Sequence, residues 1–294
     1  MRIGFCFYVL GVSAQTQTFT VLFMTDSEHN AWLEAALANT LAGEPVENIT
    51  ISSNEIGIHD AYALQRELVG RLESHGGWGE VYGYKAALTA EPAQQAMGIN
   101  EPIIGVLFEH AAYQADSATT IATDRLVLLE TEVGFTLRKE ITAPVAEDDV
   151  FDAIACCSGM IELASPNLQQ RPTSADLIAN NAASYGCISG ASTAHPTDID
   201  VDALPVSLTC IDAEQQTLHT AMAGSVMAGQ RDALIWLINQ ILAQGYELRP
   251  GHVLMTGSIG SMHPGKAGRY RADFGALGGL TFALDQGPCE PNRH

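Results

Sequence analysis

Leu126-Val127-Leu128-Leu129-Glu130-Thr131-Glu132-Val133-Gly134-Phe135 is an apolar run interrupted by two glutamates one residue apart. Its Leu and Val content marks a β-strand, and in a strand residues i and i+2 face the same way. Glu130 and Glu132 therefore share a face with Leu126 and Leu128. Two like charges held that close raise each other's pKa unless a cation lies between them. Carboxylate oxygens are the preferred ligands of hard divalent ions, so Mg²⁺ or Mn²⁺ fits this pair. An edge strand with a wet acidic face fits the pair alone equally well.

Working outward, the sequence divides coarsely. Residues 24–80 form a helical N-terminal part: a first helix at Trp32–Leu41, with Asp26 or Ser27 as N-cap, then Ile58–Ser74. In the second helix Ala61, Leu64, Leu68 and Leu72 make one apolar stripe, and His75-Gly76-Gly77 ends it. Residues 81–285 form a β-rich body with short runs at Tyr82–Leu88, Ile103–Leu107, Leu126–Phe135, Val206–Ile211, Val253–Ser258 and Leu280–Leu284. Helical patterns interrupt it at Asp149–Cys157 and Arg231–Gln244. No βαβ rhythm and no internal repeat is present, which predicts an α+β fold.

The N-terminal stretch resembles a short secretory signal with a cleavage site near Val12-Ser13-Ala14. The alternative takes Met24 as the start and residues 1–23 as an extension, which predicts a cytoplasmic rather than a periplasmic protein. Residues 286–294 read as a polar tail.

At 294 residues, 47% hydrophobic and 16% charged, the chain has the balance of an ordinary globular protein. Its net charge of −20 argues against nucleic-acid and anionic-membrane partners. An anionic substrate then needs a local cation, either a metal or a placed Lys. No run approaches a membrane-spanning length. Cys6, Cys156, Cys157, Cys187, Cys210 and Cys289 show no zinc or CxxC spacing, and read as small buried residues in a reducing compartment.

Several segments together carry a family resemblance. Gly83-Tyr84-Lys85-Ala86-Ala87-Leu88-Thr89, Asp60-Ala61-Tyr62 with Gln65, Glu101–Leu107, Glu130-x-Glu132, Met160–Leu163 and the stretch Gly224–Ser258 occur in an ordered combination. That combination resembles the 2-keto-4-pentenoate hydratase and 4-oxalocrotonate decarboxylase family of the fumarylacetoacetate hydrolase-like superfamily. The resemblance spans about residues 24–285. It implies a mixed-sheet roll of the fumarylacetoacetase C-terminal type with the helical part packed on it, assembled as a homo-oligomer, with a pathway enzyme as a further partner.

It also implies a metal site at Glu130, Glu132 and Glu162, holding Mg²⁺ or Mn²⁺, and an active-site role for Lys85. The residues themselves agree for Glu162, which sits in an apolar stretch where a lone carboxylate is costly. A surface Glu on a loop is the alternative. Lys85 lies in a strand-like run, where most lysines reach for solvent. Near a metal-bound 2-oxo acid it can hold the carboxylate, polarise the enol oxygen, or move a proton if its pKa is lowered. Gln65, Thr256 and Ser258 are weaker candidates for substrate contact.

Three positions depart from the family pattern: Ile103 stands where many hydratases carry Asp, Asn180 replaces another acid, and Gln230 replaces a proline. The first change points toward decarboxylation, which needs no incoming water. The implied activity is hydration of 2-hydroxypenta-2,4-dienoate to 4-hydroxy-2-oxopentanoate in aromatic meta-cleavage catabolism. The alternatives are decarboxylation of a 4-oxalocrotonate-type vinylogous keto acid, or a non-catalytic partner subunit of such a lyase.

Overall fold

The computed structural model describes residues 26–53, 56–115, 120–123, 125–146, 150–212 and 215–286. The extension over residues 1–23, the Met24 start, Cys6, Cys289 and the tail beyond 286 lie outside the described residues. Three helices come first: α1 (Asp26–Ala42), the short α2 (Ile49–Ser52) and α3 (Ile58–His75). Then follow β1 (Val81–Ala87), α4 (Glu91–Ala96), β2 (Ile103–Phe108), β3 (Ala112–Gln114), β4 (Thr120–Thr123), β5 (Leu128–Leu137) and β6 (Ile154–Ala164). The chain continues through α5 (Ser174–Ala179), β7 (Ser184–Ala194), β8 (Pro205–Cys210), β9 (Gln216–Met222) and α6 (Gln230–Ala243). It ends with β10 (Val253–Met255), β11 (Ile259–Pro264), β12 (Gly268–Asp273) and β13 (Gly279–Gln286).

These strands form two mixed sheets. The larger runs β2-β1-β10-β5-β6-β7-β3, with β11 also paired to β5; the smaller runs β4-β13-β12-β8-β9. Within the larger sheet β1 and β10 are parallel, while β5, β6 and β7 are antiparallel neighbours. The two sheets press on each other where Phe274 abuts Gly159 of β6, leaving no room there for a Cβ. The helices pack on the larger sheet. On α3, Ala61, Leu64, Leu68 and Leu72 are all buried, and Gly76 caps the helix in the left-handed region at φ 76°. This is the α+β arrangement of helices on a curled mixed-sheet body.

Five expectations from sequence are corrected. The pattern at Asp149–Cys157 is not an α-helix: a 3₁₀ turn at Val150–Ala153 leads straight into β6. Pairing to β5 on one side and β7 on the other overrides a weak local preference. Cys156 and Cys157 therefore face opposite sides of a strand, half-buried and buried respectively, while Cys210 is also only half-buried. Neither Asp26 nor Ser27 is an N-cap, because both lie within α1. Leu126 precedes β5 and is exposed rather than lying on the strand beside Glu130. The edge-strand alternative for Glu130 and Glu132 fails, since β5 lies between β10 and β6.

Among the described residues no helix is long and apolar enough to cross a membrane.

Candidate metal centre and substrate pocket

The site begins with strand register. On β5 Glu130 pairs directly with Glu162 on β6, and Glu132 pairs with Met160. Residues opposite each other in a ladder share a face, with Cβ atoms about 5 Å apart. Glu130, Glu132 and Glu162 thus project together. Each offers an oxygen within 4.8 Å of the others'. Glu132 and Glu162 are buried and Glu130 half-buried.

Lys85 reaches this cluster from β1, although β10 and β5 stand between β1 and β6. In a flat sheet those strands would be ~14 Å apart. The Nζ of Lys85 nevertheless lies 2.7 Å from Oε1 of Glu162, so the sheet must curl to close that gap. Gly105 on β2 makes room for the bend. A Cβ there would fall 3.0 Å from Cε of Lys85 and 2.2 Å from Oγ of Ser184.

The turn between β10 and β11 completes the cradle. β10 pairs with the far half of β5 and β11 with the near half, so residues 256–258 arch over Glu132. Gly257 adopts φ +117°, which an L side chain rarely accepts, and a Cβ would meet Thr89 at 2.4 Å. That conformation aims its backbone N–H at Oε2 of Glu132, 2.8 Å away. The other oxygen, Oε1, has no hydrogen-bond partner among the described residues. Oε1 of Glu162 has Nζ of Lys85 as its partner, 2.7 Å away.

Electrostatics follow from this crowding. Burial, and then the neighbouring Glu162, push the Glu130 carboxyl up to about 7. Burial, then Glu162 and Glu130, raise Glu132 well above the ordinary carboxylate range. For Lys85, burial works to lower the pKa, but Glu162, Glu130 and Glu132 outweigh it and the net shift is upward.

The donor set suits a hard divalent ion: three convergent carboxylates, one of them with a buried oxygen lacking a hydrogen bond among the described residues.

A cavity of about 360 Å³ opens from the cluster, lined by Lys85, Glu130, Glu162 and Ser258 together with Leu88, Thr89, Met97, Ile103, Leu128, Leu177 and Met262. Ser258 Oγ sits beside Glu130 but makes no hydrogen bond of good geometry. The other two weaker candidates lie elsewhere. Gln65 is buried under β2, donating from Nε2 to the Ile104 carbonyl at 2.9 Å and accepting from Tyr246 Oη. Thr256 donates to Gln230 Oε1 at 2.6 Å and is also buried away from the cavity lining. Both are struts that hold site-bearing strands, so neither is placed for substrate contact.

The departures from the family pattern are also accounted for structurally. Gln230 ties α6 to the chain through Thr256 and the Ala223 carbonyl, and Asn180 donates to the Pro166 carbonyl at 2.9 Å. Ile103 does line the cavity. Two contributors escaped the sequence reading. Gly257 acts through its backbone N–H, and Asn181–Ala183, three consecutive residues at φ 51–60°, bring Ala182 and Ala183 to the wall. Neither has a side-chain signature.

The fold and this cluster together describe a curled mixed-sheet body carrying three convergent carboxylates on neighbouring strands. Comparison with known proteins narrows it. The chain is 28% identical over 252 residues to the 2-oxo-hept-4-ene-1,7-dioate hydratase of Escherichia coli, spanning 81% of this chain and 91% of that one. It is 23% identical over 247 residues to the 2-keto-4-pentenoate hydratase of Paraburkholderia xenovorans strain LB400, covering 83% and 90%. The 4-oxalocrotonate decarboxylase from Pseudomonas putida G7, complexed with magnesium and adipate, superposes with a TM-score of 0.81 at 20% identity, over 90% of this chain and 99% of that one. No protein-family model matches the sequence. The chain is thus similar in sequence to hydratases of 2-oxo and 2-hydroxy dienoic acids, and in fold to a 4-oxalocrotonate decarboxylase.

Proposed function

We propose that the protein is a divalent-metal-dependent lyase for a short unsaturated 2-oxo or 2-hydroxy acid, hydrating 2-hydroxypenta-2,4-dienoate to 4-hydroxy-2-oxopentanoate in aromatic meta-cleavage catabolism. One observation carries this reading: Glu130, Glu132 and Glu162 converge beside a cavity that Glu130 and Glu162 line, and Oε1 of Glu132 is buried with no hydrogen bond among the described residues. Those residues would hold Mg²⁺ or Mn²⁺. When bound, the ion would supply Lewis-acid polarisation of a 2-oxo acid's carboxylate and C2 oxygen.

The chain's own residues do the rest. Lys85, 2.7 Å from Glu162, is placed as a positive charge and proton donor toward the substrate's oxygens. Gly257 holds Glu132 so that its second oxygen faces inward. Ser258 offers a hydroxyl to substrate or to an attacking water. The apolar wall keeps bulk water from the conjugated tail. A homo-oligomer in the cytoplasm, able to associate with a pathway enzyme, completes this reading.

Ile103 favours a second reading. It lines the cavity where an acid would help place water, and it can do neither proton transfer nor water orientation. Decarboxylation of a 4-oxalocrotonate-type acid needs no such group. Incubating Mg²⁺-loaded protein with each substrate separates the two: loss of dienoate absorbance supports hydration, and CO₂ release supports decarboxylation. Turnover of neither, together with co-purification of an active lyase, would replace both with a supporting-subunit role.

A further inference from the structure

Beyond the acidic cluster the cavity changes character, and this bears on which acids it accepts. Resting on the metal-site reading above, and on its hydration form rather than on decarboxylation of a dicarboxylate, we propose that the pocket selects monocarboxylate 2-hydroxy-2,4-dienoates carrying an apolar tail of several carbons, and rejects dicarboxylates.

Three observations lead there. First, Lys85 is the single cationic side chain among the described residues that line the cavity, and Glu162 already engages it at 2.7 Å. The second carboxylate of a dioate would find no partner, and burying an unpaired carboxylate is strongly unfavourable. Arg171 adjoins the lining residue Pro172 but is itself exposed and outside the lining. Second, the wall away from the cluster consists of groups such as Leu88, Met97, Ile103, Leu128, Leu177 and Met262. Thr89 and Ser258 supply its only side-chain hydroxyls among the described lining residues. Third, the cavity is about 360 Å³. That falls within the roughly 300–1,000 Å³ typical of pockets for drug-sized ligands, larger than a five-carbon acid requires. The acid's carboxylate and C2 oxygen occupy the cluster end, so the leftover apolar space faces the far end of the conjugated chain. The preference differs from what the names of two relatives describe, a hydratase of a 1,7-dioate and a decarboxylase complexed with adipate.

The test uses the full chain loaded with Mg²⁺ and calorimetric titration with unreactive saturated 2-oxo acids. The series is pyruvate, 2-oxobutanoate, 2-oxohexanoate, 2-oxoheptanoate and the dicarboxylate 2-oxoheptanedioate. Affinity should rise roughly three- to fourfold per added methylene. The heptanedioate should bind at least about tenfold more weakly than 2-oxoheptanoate. Met97→Arg, a half-buried wall position outside the catalytic groups, should recover dioate affinity by about tenfold. If pyruvate binds but affinity is flat with length, or the dioate matches the monoacid, the tail pocket is overturned and the metal site stands. A Met97→Arg protein that binds the dioate no better than the parent chain also overturns it. If no 2-oxo acid binds the loaded protein, both readings fall.

Discussion

Two sets of buried acids in this protein are treated in opposite ways. Asp176, at the first turn of α5, has both oxygens occupied. Thr50 N and Thr173 N donate to it at 3.0 and 2.8 Å, and the hydroxyls of Thr50 and Thr173 donate as well. Its carboxyl is held below the ordinary range: burial works to raise it, but those hydrogen bonds outweigh burial. The glutamates of β5 and β6 are buried with oxygens left over, and Glu130 and Glu132 are pushed up instead. The difference separates an acid that fastens α2 to α5 from acids kept open for something that is not protein. An unsatisfied buried carboxylate beside one satisfied so fully is where a partner from solution would fit.

The largest effect that would sharpen this contrast is in metal affinity. Glu130→Ala should weaken Mg²⁺ and Mn²⁺ binding by on the order of 10²-fold or more and abolish turnover, with far-UV circular dichroism unchanged. Retained metal binding would remove Glu130 from the centre.

Lys85→Ala comes next. It should keep the metal yet lose roughly 10²–10⁴-fold in turnover, the range of a proton-transfer group. It also leaves Glu162 without its counter-charge, so the metal-free variant should melt earlier, and added Mg²⁺ should restore much of that loss. Near-parental rates would take Lys85 out of the mechanism.

For Asp176→Ala the expectation reverses. Stability should fall by about 2–4 kcal/mol in chemical denaturation because several donors lose a charged acceptor. The Mg²⁺ dissociation constant should not move. A shifted metal affinity would mean the two acid sets are not independent.

The smallest effect is the pH dependence of the metal-free protein. Glu130 has a folded pKa of about 7 against an ordinary 4.5, so between those values the folded state binds more protons than the unfolded state. Stability from this group is therefore present below about 4.5 and is lost as pH rises toward 7. Asp176 acts with the opposite sign: its contribution is present above its unfolded pKa and lost as pH falls through the depressed folded value. Glu130→Gln should flatten the melting-temperature slope between pH 4.5 and 7 in the absence of metal. An unchanged slope would place the titrating group elsewhere.

Much of this was legible in the residues. The stripe on α3, the αL stop at Gly76 and the alternation on β5 each follow from a short-range period, which a linear sequence displays directly. Glu130 and Glu132 share a face by that rule alone. What joins them to Glu162 and Lys85 is long-range: the pairing of β5 with β6 and the curl of the sheet, which only the family resemblance anticipated. The helix expected before Cys157 failed because strand pairing on both sides, a tertiary effect, outweighed local pattern. Gln65 and Thr256 were the right residues to single out for the wrong reason, since they hold strands and do not meet the cavity. Gly257 was silent because its donor is a main-chain group.

The direct pairing of Glu130 with Glu162 has a consequence for how this protein can fail. A slip of one position between those two strands would carry Glu162 to the opposite face along with every other side chain of β6, while leaving the amount of strand unchanged. Divalent-ion uptake is thus an assay of correct threading, able to reveal misaligned molecules that spectroscopy would count as native.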